Sequence, residues 1–125
     1  MLIKTLQLGE LNANCYIAVT APNQCIAIDI GGTPRLLLEY LKMNRLKLSK
    51  ILLTHGHFDH TGGVNEIKDA TDAKVYIHES DECMLTDGNK ALAYFCPSKK
   101  FEEKQADVTL KDGDSIEQDG VIFRV

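Results

Sequence analysis

Three of the chain's four histidines and an aspartate stand within Thr54-His55-Gly56-His57-Phe58-Asp59-His60-Thr61-Gly62-Gly63. Imidazole nitrogen and carboxylate oxygen are donors suited to a borderline divalent ion such as zinc. His55 and His57 are two apart, so a locally extended backbone directs both rings to one side. Gly56 between them keeps a side chain out of the crowded approach. Asp59 and His60 follow as the chain turns and give a second donor pair. The spacing therefore reads as two half-sites fed by one short loop. A solvated histidine-rich turn is the plainer reading, but four donors packed into the six positions from 55 to 60 count against it. A structural zinc site lacks its usual cysteine pair. An open divalent-metal site is preferred.

Such a loop needs a rigid base. Lys50-Ile51-Leu52-Leu53-Thr54 before it is a short, continuously apolar strand, the type found where both faces of a sheet are covered. A short helix over Gly63 to Asp69, with Val64 and Ile67 on one side, is expected after it. The connection following a strand is where α/β folds usually place functional groups. Upstream, Ile3 to Leu8 alternates, and Cys15–Thr20 and Cys25–Ile30 form a hairpin around Ala21-Pro22-Asn23-Gln24. The period then changes. Thr33 can cap a helix beginning at Pro34, and Leu37, Leu38, Leu41 and Met43 supply its apolar stripe through Asn44. Lys74–His78 returns to strand character. This alternation predicts an α/β unit with helices packed on a sheet.

The second half is less sharply patterned. Ser80 can cap a short helix through Leu85, and another over Leu92 to Phe95 would end at Pro97. Lys99 to Asp107 is charged and expected to face solvent. Lys111-Asp112-Gly113-Asp114 and Asp119-Gly120 signal turns before the strand Val121–Val125. The sequence stops within that apolar run, an ending expected of a truncated domain.

The chain has 125 residues, 44% hydrophobic and 26% charged, the profile of one small globular domain. Fourteen Lys plus Arg against eighteen Asp plus Glu give a net charge of -4, with no overall basic footprint for nucleic acid. No apolar run is long enough to cross a bilayer, so no membrane association is expected. The leading residues Met1 to Leu6 lack the pattern of a secretory peptide. Cys15, Cys25, Cys83 and Cys96 form no Cys-x-x-Cys pair and read as reduced thiols of a cytoplasmic protein.

Thr54-His55-Gly56-His57-Phe58-Asp59-His60 resembles the His-x-His-x-Asp-His signature of the metallo-β-lactamase superfamily. Asn14-Cys15-Tyr16, Ala27-Ile28-Asp29-Ile30-Gly31-Gly32, Val75-Tyr76-Ile77-His78 and Leu110-Lys111-Asp112-Gly113-Asp114 are similar to its hydroxyacylglutathione hydrolase (glyoxalase II)-like branch. The resemblance implies the amino-terminal portion of a four-layer αββα sandwich, an incomplete domain over residues 1–125. It implies that His55 and His57 bind a first metal and that Asp59 and His60 bind a second. Asp29 would support the loop by orienting a ligand rather than by binding metal. His78 is expected to be a packing or loop residue.

Relatives of this kind supply a further histidine from a later His-x-x-Gly-His-Thr segment, then a bridging aspartate and a final histidine. None of these occurs through Val125. In a complete relative the implied chemistry is metal-dependent hydrolysis of a small-molecule thioester, with zinc as the cofactor, two ions in all, or else iron or manganese. Asp59 would hold the second metal and help orient the attacking hydroxide. Residues 1–125 alone are expected to be weakly active or inactive, with metal weakly bound or absent. Sulfur dioxygenase or lactonase chemistry is the enzymatic alternative. A non-catalytic interaction or regulatory half-domain is the other. Homo-oligomerisation through an exposed sandwich face is expected as well.

Overall fold

The shift from two-residue to helical hydrophobic periodicity becomes a sheet flanked by helices in the computed structural model, which describes residues 1–97 and 100–125. Strands β1 (Leu2–Leu8), β2 (Ala13–Ala21) and β3 (Gln24–Ile28) form an antiparallel meander. The expected hairpin closes through Pro22-Asn23, with Ala21 opposite Gln24 and Asn23 in the left-handed region at φ +63°. Helix α1 (Arg35–Met43) then leads to β4 (Lys47–Leu52), which pairs parallel to β3. A helical turn α2 (Phe58–Thr61) and helix α3 (Val64–Thr71) lead to β5 (Lys74–His78), parallel to β4. Strand β6 (Val108–Leu110) completes the parallel half beside β5, so the six strands lie in sequence order. No local pattern announced β6. Its three residues gain their identity from pairing with a strand thirty residues earlier.

Alternation divides the sheet into two faces. Cys15, Ile17, Ile51 and Val75 point to one, where Leu37 and Leu41 of α1 and Val64 and Ile67 of α3 cover them. Ala18, Ile26, Leu52 and Leu110 point to the other, against Ile116 and Phe123. These last two belong to the hairpin of β7 (Ser115–Gln118) and β8 (Val121–Arg124). Asp119 and Gly120 both have positive φ, the turn geometry that matches the twist of paired strands. The hairpin is a separate two-stranded sheet. The described residues thus supply a helical layer, a six-stranded sheet and a small second sheet on its far face, in agreement with the expected sandwich portion. Ile3 and Tyr16 share the far face with Ala18 through the β1–β2 register, yet remain 55% and 38% exposed.

Several local expectations are corrected. Thr33 does not cap α1 with its side chain: it sits at φ +53°, accepts from the Gly9 amide at 3.0 Å and donates to the Gly32 carbonyl at 2.7 Å. Ser80 is no cap either, because its amide donates to Nδ1 of His78 and a 3-10 turn starts later, at Glu82–Leu85. The second expected helix is a 3-10 turn over Ala93–Phe95, preceded by Leu92 at φ +61°. The charged stretch from Lys99 to Asp107 does not simply face water. Lys99 lies outside the described residues, but Lys104 is only 4% exposed.

Asp107 in that stretch is a clamp. Its Oδ2 accepts from the Lys68 ammonium of α3 and, at 2.8 Å, from the Val75 amide of β5. Its own amide donates to the Val75 carbonyl at 2.8 Å. Replacing Asp107 with Ala should cost about 1 kcal/mol, seen as a lower denaturant midpoint with unchanged slope. The Lys68 hydrogen bond, with the Val75 amide, holds the Asp107 carboxyl below its ordinary value of 3.8. That contribution is complete above the ordinary value and disappears as pH falls through the lowered one. The stability gap between wild type and Asp107→Ala should therefore narrow in acid.

Candidate metal centre

The parallel pairing of β3 with β4 puts Ile28 opposite Leu52, so both strands end side by side. Immediately beyond β3, Asp29 takes the left-handed conformation at φ +62°, and its amide donates to the Leu52 carbonyl at 2.9 Å. Aspartate tolerates this region better than most residues. Its side chain is 4% exposed and accepts three hydrogen bonds. Oδ1 takes the Thr54 amide at 2.8 Å, while Oδ2 takes the Thr54 hydroxyl at 2.7 Å and pairs with Nδ1 of His60 at 2.8 Å.

The backbone reinforces the join. The Ile30 amide donates to the His60 carbonyl, and the Gly63 amide to the Ile30 carbonyl, each at 2.9 Å. These approaches leave no room for side chains: a β-carbon on Gly31 would lie 2.4 Å from the Asp59 carbonyl oxygen, and one on Gly63 2.4 Å from the Gly31 carbonyl oxygen. The Gly56 amide donates to Oδ2 of Asp81 at 3.2 Å, and the Phe58 amide to the Ala91 carbonyl at 2.9 Å. The loop is therefore pinned from both sides. His57 is extended, with φ −65° and ψ 144°, and α2 begins at the next residue. This change of conformation divides the motif into its extended pair, His55 and His57, and its helical pair, Asp59 and His60.

Hydrogen-bond direction assigns the ring protons. A threonine hydroxyl has one hydrogen, and that of Thr54 goes to Asp29. It must then accept from Nδ1 of His55, 2.8 Å away. His60 donates from Nδ1 to Asp29 directly. In their neutral form both rings then have an acceptor at Nε2, the form in which imidazole binds a metal. Nε2 of His60 lies 3.4 Å from Oδ2 of Asp59. Two facing lone-pair groups at that separation suit a cation that both can reach. Burial, assisted by the neighbouring His60, pushes the His55 imidazole below its ordinary value, which favours the neutral ligand form.

The structure brings His55, His57 and His60 together: the His55 ring centroid is 4.8 Å from that of His57 and 4.3 Å from that of His60. Donor atoms of Asp29, His55 and His60 all lie within 4.8 Å of one another. His57 and Asp59 are outside that tightest group. Asp29 is inside it, but its oxygens are already occupied by Thr54 and His60. The donor chemistry of this group fits a divalent ion. His78 is committed elsewhere, accepting at Nδ1 from Ser80 and donating from Nε2 to Oδ1 of Asp112 at 2.8 Å. Burial pushes the Cys15 and Cys25 thiols up to about 12 and about 11, so neither is a reactive nucleophile.

Thr54 was not singled out from sequence, although it is the only link between Asp29 and His55 among the described residues. Its position as the last residue before the first histidine was the available signal. Asp81 was missed too, since nothing local marks an aspartate 25 residues away as a partner of Gly56.

A family model for the metallo-beta-lactamase superfamily matches residues 8–125. The "Probable metallo-hydrolase YqgX" of Bacillus subtilis (strain 168) is 34% identical over 86 residues, covering 69% of this chain and 40% of the relative. A "Hydroxyacylglutathione hydrolase" of Bdellovibrio bacteriovorus is 33% identical over 96 residues, covering 77% of this chain and 31% of the relative. The crystal structure of the BLEG-1 B3 metallo-beta-lactamase superposes with a TM-score of 0.91 at 27% identity, covering 98% of this chain and 59% of that one. The chain thus spans well under two thirds of each of these proteins.

The proton assignment can be read by nitrogen NMR on metal-free protein. His55 and His60 should both carry hydrogen on Nδ1. Thr54→Val should release His55 into a tautomer mixture while His60 stays fixed. Asp29→Asn should loosen both rings and weaken zinc binding by about 10- to 100-fold, measured by chelator competition. Undiminished zinc affinity in Asp29→Asn would remove Asp29 from this supporting role.

Proposed function

Because the chain belongs to the metallo-beta-lactamase superfamily, we propose that it forms one side of a two-metal hydrolase centre whose substrate is a small-molecule thioester. The observation that carries this reading is the paired orientation of His55 and His60 by Asp29, directly and through Thr54. Such an arrangement has no use in a solvated turn. It costs a buried carboxylate and is repaid where two imidazoles must present fixed lone pairs.

In this proposal His55 and His57 hold one ion, and Asp59 and His60 the other. Divalent ions held by these residues would supply an acidified water and positive charge for the oxyanion of an acyl carbonyl. Asp59 holds and orients, and Asp29 keeps His60 from turning. A thiolate is a good leaving group, so the reaction demands no strong general acid from the chain. Zinc is the favoured ion, with iron or manganese as outcomes of metal analysis. In this proposal the remaining ligands would be supplied by the part of the relatives' length that this chain does not span. The thioester preference is supported by the hydroxyacylglutathione hydrolase relative. Among the described residues no helix is long and apolar enough to cross a membrane.

A protein extended by the later ligand segment should hydrolyse a lactoylglutathione-like thioester and lose at least about 100-fold in kcat/KM on His57→Ala or Asp59→Asn. Residues 1–125 alone should show little or none of this activity. Hydrolysis that survives both substitutions would refute the site. Oxygen consumption by an iron-loaded protein would replace thioester hydrolysis with dioxygenase chemistry.

The same proposal includes self-association of the 125-residue chain through the far sheet face that bears Ile3 and Tyr16. Sedimentation should show a mass that rises with concentration. A monomer at every concentration would exclude it.

A further inference from the structure

Lys104 is buried more deeply than any other charged residue but Asp29 among those described. Its amide is fixed to the Leu85 carbonyl at 2.9 Å, and the Asn65 side chain holds the nearby Glu103 carbonyl at 2.9 Å, so the segment cannot swing the lysine outward at no cost. The ammonium donates to the Glu102 carbonyl and stands 4.5 Å from the centroid of the Phe101 ring. No carboxylate among the described residues forms an ion pair with it. A buried ammonium without a direct ion pair is unfavourable, and a carbonyl, an aromatic face and the field of Glu102 offset only part of that.

The ammonium adjoins a cavity of about 420 Å³ formed by the β1–β2 connection, the α2–α3 region and residues 100–104. Phe101 and Glu102, the two residues that touch the nitrogen, both line this cavity. Lys104 also borders a smaller hollow of about 330 Å³ beside Glu79 and Glu82, but neither Phe101 nor Glu102 does. Both residues that hold the ammonium thus line the larger cavity, and neither lines the smaller. Leu8, Leu11, Pro34, Phe58 and Phe101 give the larger one apolar walls. Its four acidic residues are Glu10, Asp59, Glu66 and Glu102. The Glu10 carboxylate accepts from the Cys96 thiol at 3.0 Å, Oδ2 of Asp59 is 3.4 Å from Nε2 of His60, and Glu66 and Glu102 are exposed.

We propose that this cavity binds a small aliphatic monocarboxylate, with its charge against Lys104 and its chain among the apolar walls. The volume suits a small ligand. The single buried cation meets one negative charge, and the acidic rim disfavours a phosphate dianion. Phe58 and Asp59 also line the cavity, so the ligand would lie along α2, the element carrying Asp59 and His60. Binding needs no metal and stands independently of the hydrolase reading. If that reading holds, thioester hydrolysis releases a carboxylate, and this cavity is where an acid product or a carboxylate-bearing substrate would lodge.

The test titrates metal-free full chain with sodium hexanoate while NMR follows the lysine Nζ signals and the backbone amides. Hexanoate should shift the Lys104 Nζ signal and the amides of Phe58, Ala93 and Phe101 saturably, and methyl hexanoate should not. Lys104→Met, which keeps the stem and removes the charge, should weaken hexanoate binding at least about tenfold. Equal shifts with the ester, equal shifts with inorganic phosphate, or unchanged affinity in Lys104→Met would overturn the proposal. If Lys104→Met does not fold, the wild-type Nζ signal decides: no saturable shift with hexanoate overturns it equally.

Discussion

The carboxylate of Asp29 is the contact on which the histidine-rich loop depends. It lies at the end of β3, out of water, and would be intolerable there without compensation. The compensation comes from the loop itself: the amide and hydroxyl of Thr54 and the imidazole of His60. Each partner satisfies the carboxylate and is positioned by it. Support and supported group are therefore one unit, and the left-handed turn at Asp29 is the local strain that lets the side chain face back toward the end of β4.

That unit can exist only because β3 and β4 are parallel. Their carboxyl ends arrive together, so Asp29 and Thr54, 25 positions apart in sequence, become hydrogen-bonding neighbours. An antiparallel pair would carry the residue after β3 to the opposite end. Helices α1 and α3 cover one face of the sheet and leave its end open for the loop. Gly31 and Gly63 then allow backbone to approach backbone at distances that any β-carbon would prevent. The placement of the four candidate ligand side chains thus rests on strand direction, one buried acid and two missing side chains.

These dependencies explain what could be read from the sequence. The β2–β3 hairpin, α1, α3 and β5 were legible because each has a hydrophobic period long enough to register. The donors at His55, His57, Asp59 and His60 were legible because chemistry concentrated in six positions needs no partner from elsewhere to be noticed. The role of Asp29 came through resemblance, and its geometry required the β3–β4 register. Thr54 is invisible as a tautomer-setting group until Asp29 is beside it. Strand β6 and the 3-10 turns are shorter than any periodicity. The solvent reading of the charged segment failed at Lys104 because burial there is imposed by the Leu85 and Asn65 contacts, not by a local pattern.

Asp29 and Lys104 show two ways in which a small fold accommodates a buried charge. Both lie below 5% exposure, so neither can rely on solvent. Asp29 is surrounded by donors built into elements that already had to meet, and its charge is used to fix other groups. Lys104 has one carbonyl and one ring face, and burial draws its ammonium below the ordinary lysine value, opposed by the charge of Glu102. A carboxylate with three donors has no further demand on its surroundings. An ammonium with one acceptor, at the wall of the cavity, has no ion pair among the described residues. The contrast separates a charge that organises its own site from one whose environment is left open to a second molecule.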